Sequence, residues 1–264
     1  MPSLMILPAA LAALAYLFAA LRAAQARDGG WVLLGLMAGL ALHALVLVAS
    51  VQAAGGRLGL TQALSLVTWQ SALLLALLSS VVTLRPLRTA IYPLAAVGVV
   101  LAALLPTQSG GNAPHDWRIA LHAALSIFAA GLLTLAAAQA LALDLIDRLL
   151  HKPEQLARVL RMPPMQASED WLFQLIGAGF FVLSLALLSG LIFVDDLFAQ
   201  HLVHKTVLSI IAWLIFAALL LGRRRSGWRG KRAVRWALSG YGALLLAYFG
   251  SKLVLEQILG RSWT

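Results

Sequence analysis

Six histidines carry most of the chemistry open to this 264-residue sequence: His43, His115, His122, His151, His201 and His204. Imidazole donates and accepts protons near neutral pH and ligates metals. There is no cysteine, which excludes disulfides, thiolate metal sites and covalent CxxCH attachment to this chain. His43 lies in the middle of an apolar run, LALHALVL. His122 lies one helical turn inside another, which begins at Trp117. His201 and His204, in FAQHLVHK, are spaced i,i+3 and share a helix face if that helix begins early. Two neutral imidazoles facing each other can ligate heme iron or another metal of intermediate softness. His122 with His204, or with His201, is therefore the candidate metal pair. The competing reading makes His43 a buried histidine bonded to a neighbouring Ser, Gln or backbone carbonyl, and the others ordinary interfacial or loop residues.

The elements that must position these groups are membrane helices. The chain is 61% hydrophobic and 11% charged, against about 45–50% and about 25% in soluble domains. Several apolar runs exceed the roughly 18–20 residues that span a bilayer as a helix, and none alternates as a barrel strand would. The expected fold is all-α and polytopic: one transmembrane domain over 1–264 with eight helices at about 3–24, 31–53, 59–83, 89–106, 117–143, 171–194, 203–222 and 233–256. The first run is expected to be a retained helix, because its arginines follow the apolar stretch where a signal peptide has them in front.

Charge placement supports eight spans. With both termini periplasmic, fifteen cations fall on the cytoplasmic side: Arg22, Arg27, Arg85, Arg88, Arg148, Lys152, Arg158, Arg161, Arg223, Arg224, Arg225, Arg229, Lys231, Arg232 and Arg235. Five fall outside: Arg57, Arg118, Lys205, Lys252 and Arg261. That asymmetry obeys the positive-inside rule; seven or nine spans break it. The net charge of +10 thus sets topology, and no nucleic-acid partner is expected; the bilayer is.

Finer signals concern helix ends and packing. The 107–116 loop, TQSGGNAPHD, has turn chemistry throughout. EQLARVL (154–160) reads as a short interfacial amphipathic segment ended by Pro163 and Pro164. SEDW is expected to open the sixth span, with Ser168 as cap and acids in the first turn. Gly35, Gly39, Gly177, Gly179, Gly240 and Gly242 are expected to allow close helix approach. Trp31, Trp117, Trp171, Trp228, Trp236 and Trp263 fall near the interfaces as an aromatic belt, with Trp117 standing over His122; Trp69 and Trp213 lie deeper. Lys252 and Glu256, i,i+4, pair or snorkel. GxxxxGK[ST], HExxH and GxSxG motifs are absent, so no catalysis by the polypeptide is expected.

Several stretches resemble the cytochrome c assembly protein superfamily, the membrane heme-handling group that includes CcsA and CcmC, and most of all its smaller YpjD/HemX-type branch. They are LHALVL around His43, ALSLVTW (63–69), RPLRTAIYPLAA (85–96), WRIALHAALSIFAAGLL (117–133) and the stretch from His204 to Glu256. The basic GWRGKRA loop followed by an aromatic, glycine-bearing last helix is the most specific.

The resemblance implies a bacterial inner-membrane protein with two histidine pairs, one within the membrane and one at the outer face, under a tryptophan-rich segment. By position His43 matches the first membrane histidine and His122 the first outer one. Their partners do not carry over. Leu221 stands near the second membrane position, the C-terminal LEQILGRSWT has no histidine, and the short DDLFAQHLV loop replaces the tryptophan-rich segment. The implied role is an accessory in heme binding, delivery or cytochrome biogenesis. Non-covalent heme b would have His43 and His122 as axial ligands or as hydrogen-bonding groups beside it, with His204 as the third candidate, Trp117 stacked on the macrocycle and Arg118 or Lys205 pairing with propionates. The alternatives are a non-heme regulator of other membrane proteins that keeps the fold and, behind it, a small-molecule transporter.

Overall fold

The computed structural model describes residues 2–25, 29–56, 58–78, 85–105, 116–151, 164–193 and 203–250, excluding the side chains of residues 2–4, 85, 204, 249 and 250. Among them there are eight α-helices, one closing π-helical turn and no strand. Seven of the helices are long and apolar enough to cross a membrane. In hydrocarbon a helix satisfies its backbone internally, which is why uninterrupted apolar runs take this form. The chain divides into two compact units, the first four helices and the last four.

The first unit holds α1 (Pro2–Ala24), α2 (Gly30–Ala53), α3 (Leu60–Leu78) and α4 (Arg85–Leu104). α1 packs on α2 and α4, and α3 on α4 and α2. The pattern along α1 is the reverse of a soluble helix. Its buried face is Ala9, Ala12, Tyr16, Ala19 and Ala23, while Leu7, Leu11, Leu14, Phe18 and Leu21 point outward. Small residues let backbones approach, and large apolar ones meet lipid. Ala9 and Ala12 close a core with Val46 of α2 and Val99 and Ala103 of α4. At Gly39 a Cβ would lie 2.9 Å from Ala15 Cβ; at Gly98 it would collide with Thr68 Oγ1.

The second unit holds α5 (Trp117–Leu150), α6 (Met165–Phe193), α7 (Val203–Ser226) and α8 (Gly230–Leu245), followed by the π turn Leu246–Gly250. α5 packs on α6 and α8, and α7 on the same two, so α5 and α7 are diagonal partners that begin at the same end. α5 and α6 run antiparallel in a register fixed by three contacts. Trp117 meets Phe193, a Cβ at Gly179 would strike Leu133, and Gln139 Nε2 donates to the Ser168 carbonyl at 2.8 Å. Thr134 of α5 and Tyr241 of α8 share a hydroxyl hydrogen bond of 2.9 Å.

Several expectations need correction. α5 continues seven residues past 143, because ALDLIDRLL is amphipathic: Leu143 and Ile146 are buried, and Asp144 pairs with Arg148. α6 opens at Met165, where the Pro164 carbonyl accepts Ser168 N–H. Ser168 is therefore inside the helix and not its cap. Glu169 and Asp170 are likewise not in the first turn; both serve tertiary partners. α4 starts four residues before 89, at Arg85, α7 runs four residues past 222, to Ser226, and α8 starts at Gly230. Of the six glycines expected to mediate packing, Gly39, Gly179 and Gly240 do, whereas Gly35, Gly177 and Gly242 have open space where a Cβ would stand. The EQLARVL segment, the pair Lys252 and Glu256, and most of the 107–116 loop lie outside the described residues; of that loop Asp116 remains, capping α5 by accepting from Arg118 N–H at 2.9 Å.

Candidate functional site

Among the described side chains, His43 in the first unit and His122 in the second stand inside the helical packing, and the two are held differently. His43, in α2, is fully buried. Its Nδ1 is 3.1 Å from the Tyr16 hydroxyl of α1, and its Nε2 is 2.8 Å from Ser65 Oγ of α3. Either tautomer of a neutral ring satisfies both bonds, with hydroxyl donor and acceptor roles exchanged. The Tyr16 ring stands edge-on to the imidazole with centroids 5.7 Å apart. One α-helical turn before His43 along α2, Trp69 Nε1 of α3 donates to the Leu40 carbonyl at 2.9 Å. The cluster therefore ties three helices together through side chains that would otherwise be unsatisfied polar atoms in an apolar interior. Both ring nitrogens are occupied.

His122 lies one turn inside α5, half-buried against the last turns of α6. Nδ1 is 3.0 Å from the Ala186 carbonyl and 3.0 Å from Ser189 Oγ. A carbonyl only accepts, so Nδ1 carries the proton and donates to both. Ser189 donates its own hydrogen to the same carbonyl at 2.8 Å. This fixes the tautomer, and the Nε2 lone pair makes no hydrogen bond among the described residues. Gly190 makes the approach possible: a Cβ there would lie 3.0 Å from His122 Cε1. One turn deeper, Ser126 is hydrogen-bonded by Tyr248, which stands in the π turn.

Around the N-terminal end of α5 the other candidates fall as follows. Trp117 is 65% exposed and meets Phe193 edge-on, centroids 5.8 Å apart. The Arg118 guanidinium lies 5.9 Å from the centre of the Trp117 ring. Lys205 is half-buried in the first turn of α7. His204 belongs to that same turn, but its side chain, with His115 and His201, lies outside the described residues. Among the described residues no three His, Cys, Asp or Glu side chains converge as a metal cluster.

The two histidines differ in how they could meet the heme implied by the sequence. His122 fits an axial ligand: metal-bound histidines characteristically donate their second ring N–H to a carbonyl, which orients the ring and raises its basicity. As an axial ligand His43 does not fit in this arrangement, because iron at either nitrogen would displace Tyr16 or Ser65. Sequence reasoning passed over the groups that make this distinction: Tyr16, Ser65, Ser189 and Gly190. Tyr16 and Ser65 were visible as polar residues within apolar runs; nothing in the sequence paired them with His43.

Comparison with known proteins completes the picture. Residues 31–259 match the family model of the cytochrome C assembly protein. The inner membrane protein YpjD of Escherichia coli K12 is 32% identical over 238 residues, 88% of this chain and 90% of that protein. An uncharacterized 28.8 kDa protein of Azospirillum brasilense is 38% identical over 154 residues, covering 57% of this chain and 56% of its own. The cytochrome c biogenesis protein CcsA of Synechococcus elongatus is 28% identical over 112 residues, 40% of this chain and 34% of that one. No solved structure matches. Both the breadth of the family match and the near full-length relative lead to one conclusion: the chain belongs to the cytochrome c assembly protein family.

Proposed function

We propose that this chain is a multi-pass bacterial inner-membrane accessory of cytochrome c assembly type that binds heme b non-covalently in its second unit, for delivery or cytochrome biogenesis. The observation that carries the reading is the His122 tautomer, held by Ala186 and Ser189 with Nε2 left for iron. Family membership and the inner-membrane relative supply the context. His204 is the proposed second ligand. It opens α7, the diagonal partner of α5, and cofactor sites in helical bundles are built from side chains on facing helices. Trp117 and Arg118, at the exposed start of α5, are proposed to cover the macrocycle and pair with a propionate. A bound heme would supply redox-active iron; the polypeptide's part is to ligate, orient and shield it.

The proposed topology has eight spans with both termini periplasmic. Seven helices of crossing length and the fifteen-to-five cation asymmetry support it. α8 with its π turn would be the eighth.

The test is an absorption spectrum of the full chain in detergent, before and after dithionite, with and without added hemin. The expected result is a red-shifted Soret with sharp low-spin bands in stoichiometric amount, lost in His122→Ala. A protein that neither carries heme nor takes up hemin overturns the reading. The second reading, a non-heme regulator of other membrane proteins, then stands. The saturated imidazole of His43 favours it, because that residue already has a complete structural role.

A further inference from the structure

The end of the α7–α8 hairpin carries seven cations, and their side chains divide into two sets. Three are matched by acids of the same unit. Arg223 meets Asp170 at 3.1 Å and Glu169 at 3.9 Å, Arg229 meets Glu169 at 3.9 Å, and Lys231 meets Asp147 at 3.2 Å. The other four, Arg224, Arg225, Arg232 and Arg235, are exposed and meet no carboxylate among the described residues. Two tryptophans stand among them. Trp228 lies on Gly222, where any Cβ would collide with its ring. Its ring centroid is 5.1 Å from that of Trp236, and the Arg232 guanidinium sits 5.0 Å over it. The deeper tryptophans, Trp69 and Trp213, donate their indole N–H to neighbouring helices; those of Trp228 and Trp236 meet no acceptor among the described residues.

We propose that Arg224, Arg225, Trp228, Arg232, Arg235 and Trp236 form a binding surface for the phosphate headgroup of an anionic phospholipid. The set is all donors and cations, the complement of a phosphodiester. Its depth is right: α7 is long and apolar enough to cross a membrane, and tryptophan is enriched at the headgroup level. The surface continues into lipid. Leu214 and Leu221 of α7 are exposed and spaced i,i+7 below Arg224 and Arg225, offering an acyl-chain track beneath the phosphate. Anionic lipids attract such juxtamembrane cations, and the acids that could have neutralised them are engaged by Arg223, Arg229 and Lys231. This inference is independent of whether the chain binds heme.

The experiment is native mass spectrometry of the delipidated full chain in detergent, offered equal amounts of phosphatidylglycerol and phosphatidylcholine. Preferential retention of phosphatidylglycerol is expected, falling about tenfold in the R224Q/R225Q/R232Q/R235Q variant while phosphatidylcholine retention is unchanged. Equal retention of the two lipids by the wild type overturns the proposal, as does a quadruple variant that folds and still prefers phosphatidylglycerol. If that variant does not purify as a monodisperse species, the wild type decides: its preference must weaken at raised ionic strength, and a salt-insensitive preference overturns the proposal. Adducts of free inorganic phosphate without lipid discrimination, or an acidic protein that copurifies with wild type in place of lipid, likewise overturn it.

Discussion

His122 Nδ1 lies 3.0 Å from the carbonyl oxygen of Ala186, sixty-four residues along the chain and on the neighbouring helix. That single distance fixes which nitrogen of the ring is protonated. It also separates His122 from His43, whose two nitrogens both end on hydroxyl groups. The same residue type is left open at His122 and closed at His43.

The open histidine gives a graded prediction. His122→Ala should abolish the low-spin spectrum of added hemin. Ser189→Ala should keep the spectrum but weaken hemin affinity by about 10- to 100-fold, the usual loss when a partner behind a ligating histidine is removed. Gly190→Val should act through the ring, since even a Cβ would stand 3.0 Å from Cε1. Hemin titration of the three variants checks this. Equal affinity in Ser189→Ala and wild type would remove the orienting role given to Ser189.

The closed histidine predicts a stability effect. His43→Ala should leave Tyr16 and Ser65 without their shared partner and cost about 1–3 kcal/mol for each hydroxyl so orphaned, less what membrane relaxation recovers. Tyr16→Phe and Ser65→Ala should each cost less, and the two losses should couple, since both bonds end on one ring. Unfolding in graded denaturing detergent measures it. A hemin spectrum that changes in His43→Ala while stability does not would contradict the assignment.

Much of this was legible in the amino-acid order. Apolar run length set the helices, because hydrocarbon thickness admits few alternatives, and the polar break before Trp117 marked where α5 starts. His122 was visible as an imidazole one turn inside a span. The partners were not. Pairing Tyr16 with His43 and Ser65 needs the rotation of three helices about their axes, and the apolar pattern does not encode it when a helix is hydrophobic all round. The helix ends moved for a related reason. The fifth span, expected to end near 143, runs on to Leu150, where Asp147 meets Lys231 of α8, and Ser168, expected as a cap, lies inside α6 because Glu169 serves other helices.

Glu169 carries the next prediction. It is nearly buried, accepts from Gly230 N–H at 2.7 Å and stands between Arg223 and Arg229. Gly230 has φ +56, so this carboxylate holds the turn that starts α8. Glu169→Ala removes a charge-assisted bond of about 1.5–3 kcal/mol and should lower the thermal midpoint clearly. Glu169→Gln keeps an acceptor for Gly230 and should recover part of the loss. Thermal unfolding followed by tryptophan fluorescence distinguishes them; identical midpoints for the two variants would deny the hydrogen bond its role.

The glycines of α6 offer a comparison within one helix. Gly177 and Gly179 are two residues apart, so they project about 160° away from each other. A Cβ at Gly177 meets nothing within 4 Å, whereas one at Gly179 would lie 2.7 Å from Leu133 Cδ2 and 2.8 Å from Leu133 Cγ. Gly177→Ala should therefore be neutral or stabilising, by up to about 1 kcal/mol from helix propensity. Gly179→Ala gains the same propensity but must push Leu133 away from a fully buried position, and overpacking of that kind costs about 1–3 kcal/mol. The midpoint should rise or hold in the first variant and fall in the second. Gly179→Ala with Leu133→Ala should lose less than the two single changes added together, because the second removes the atoms that the first strikes. Strict additivity would place the cost of Gly179→Ala somewhere other than the contact between α5 and α6.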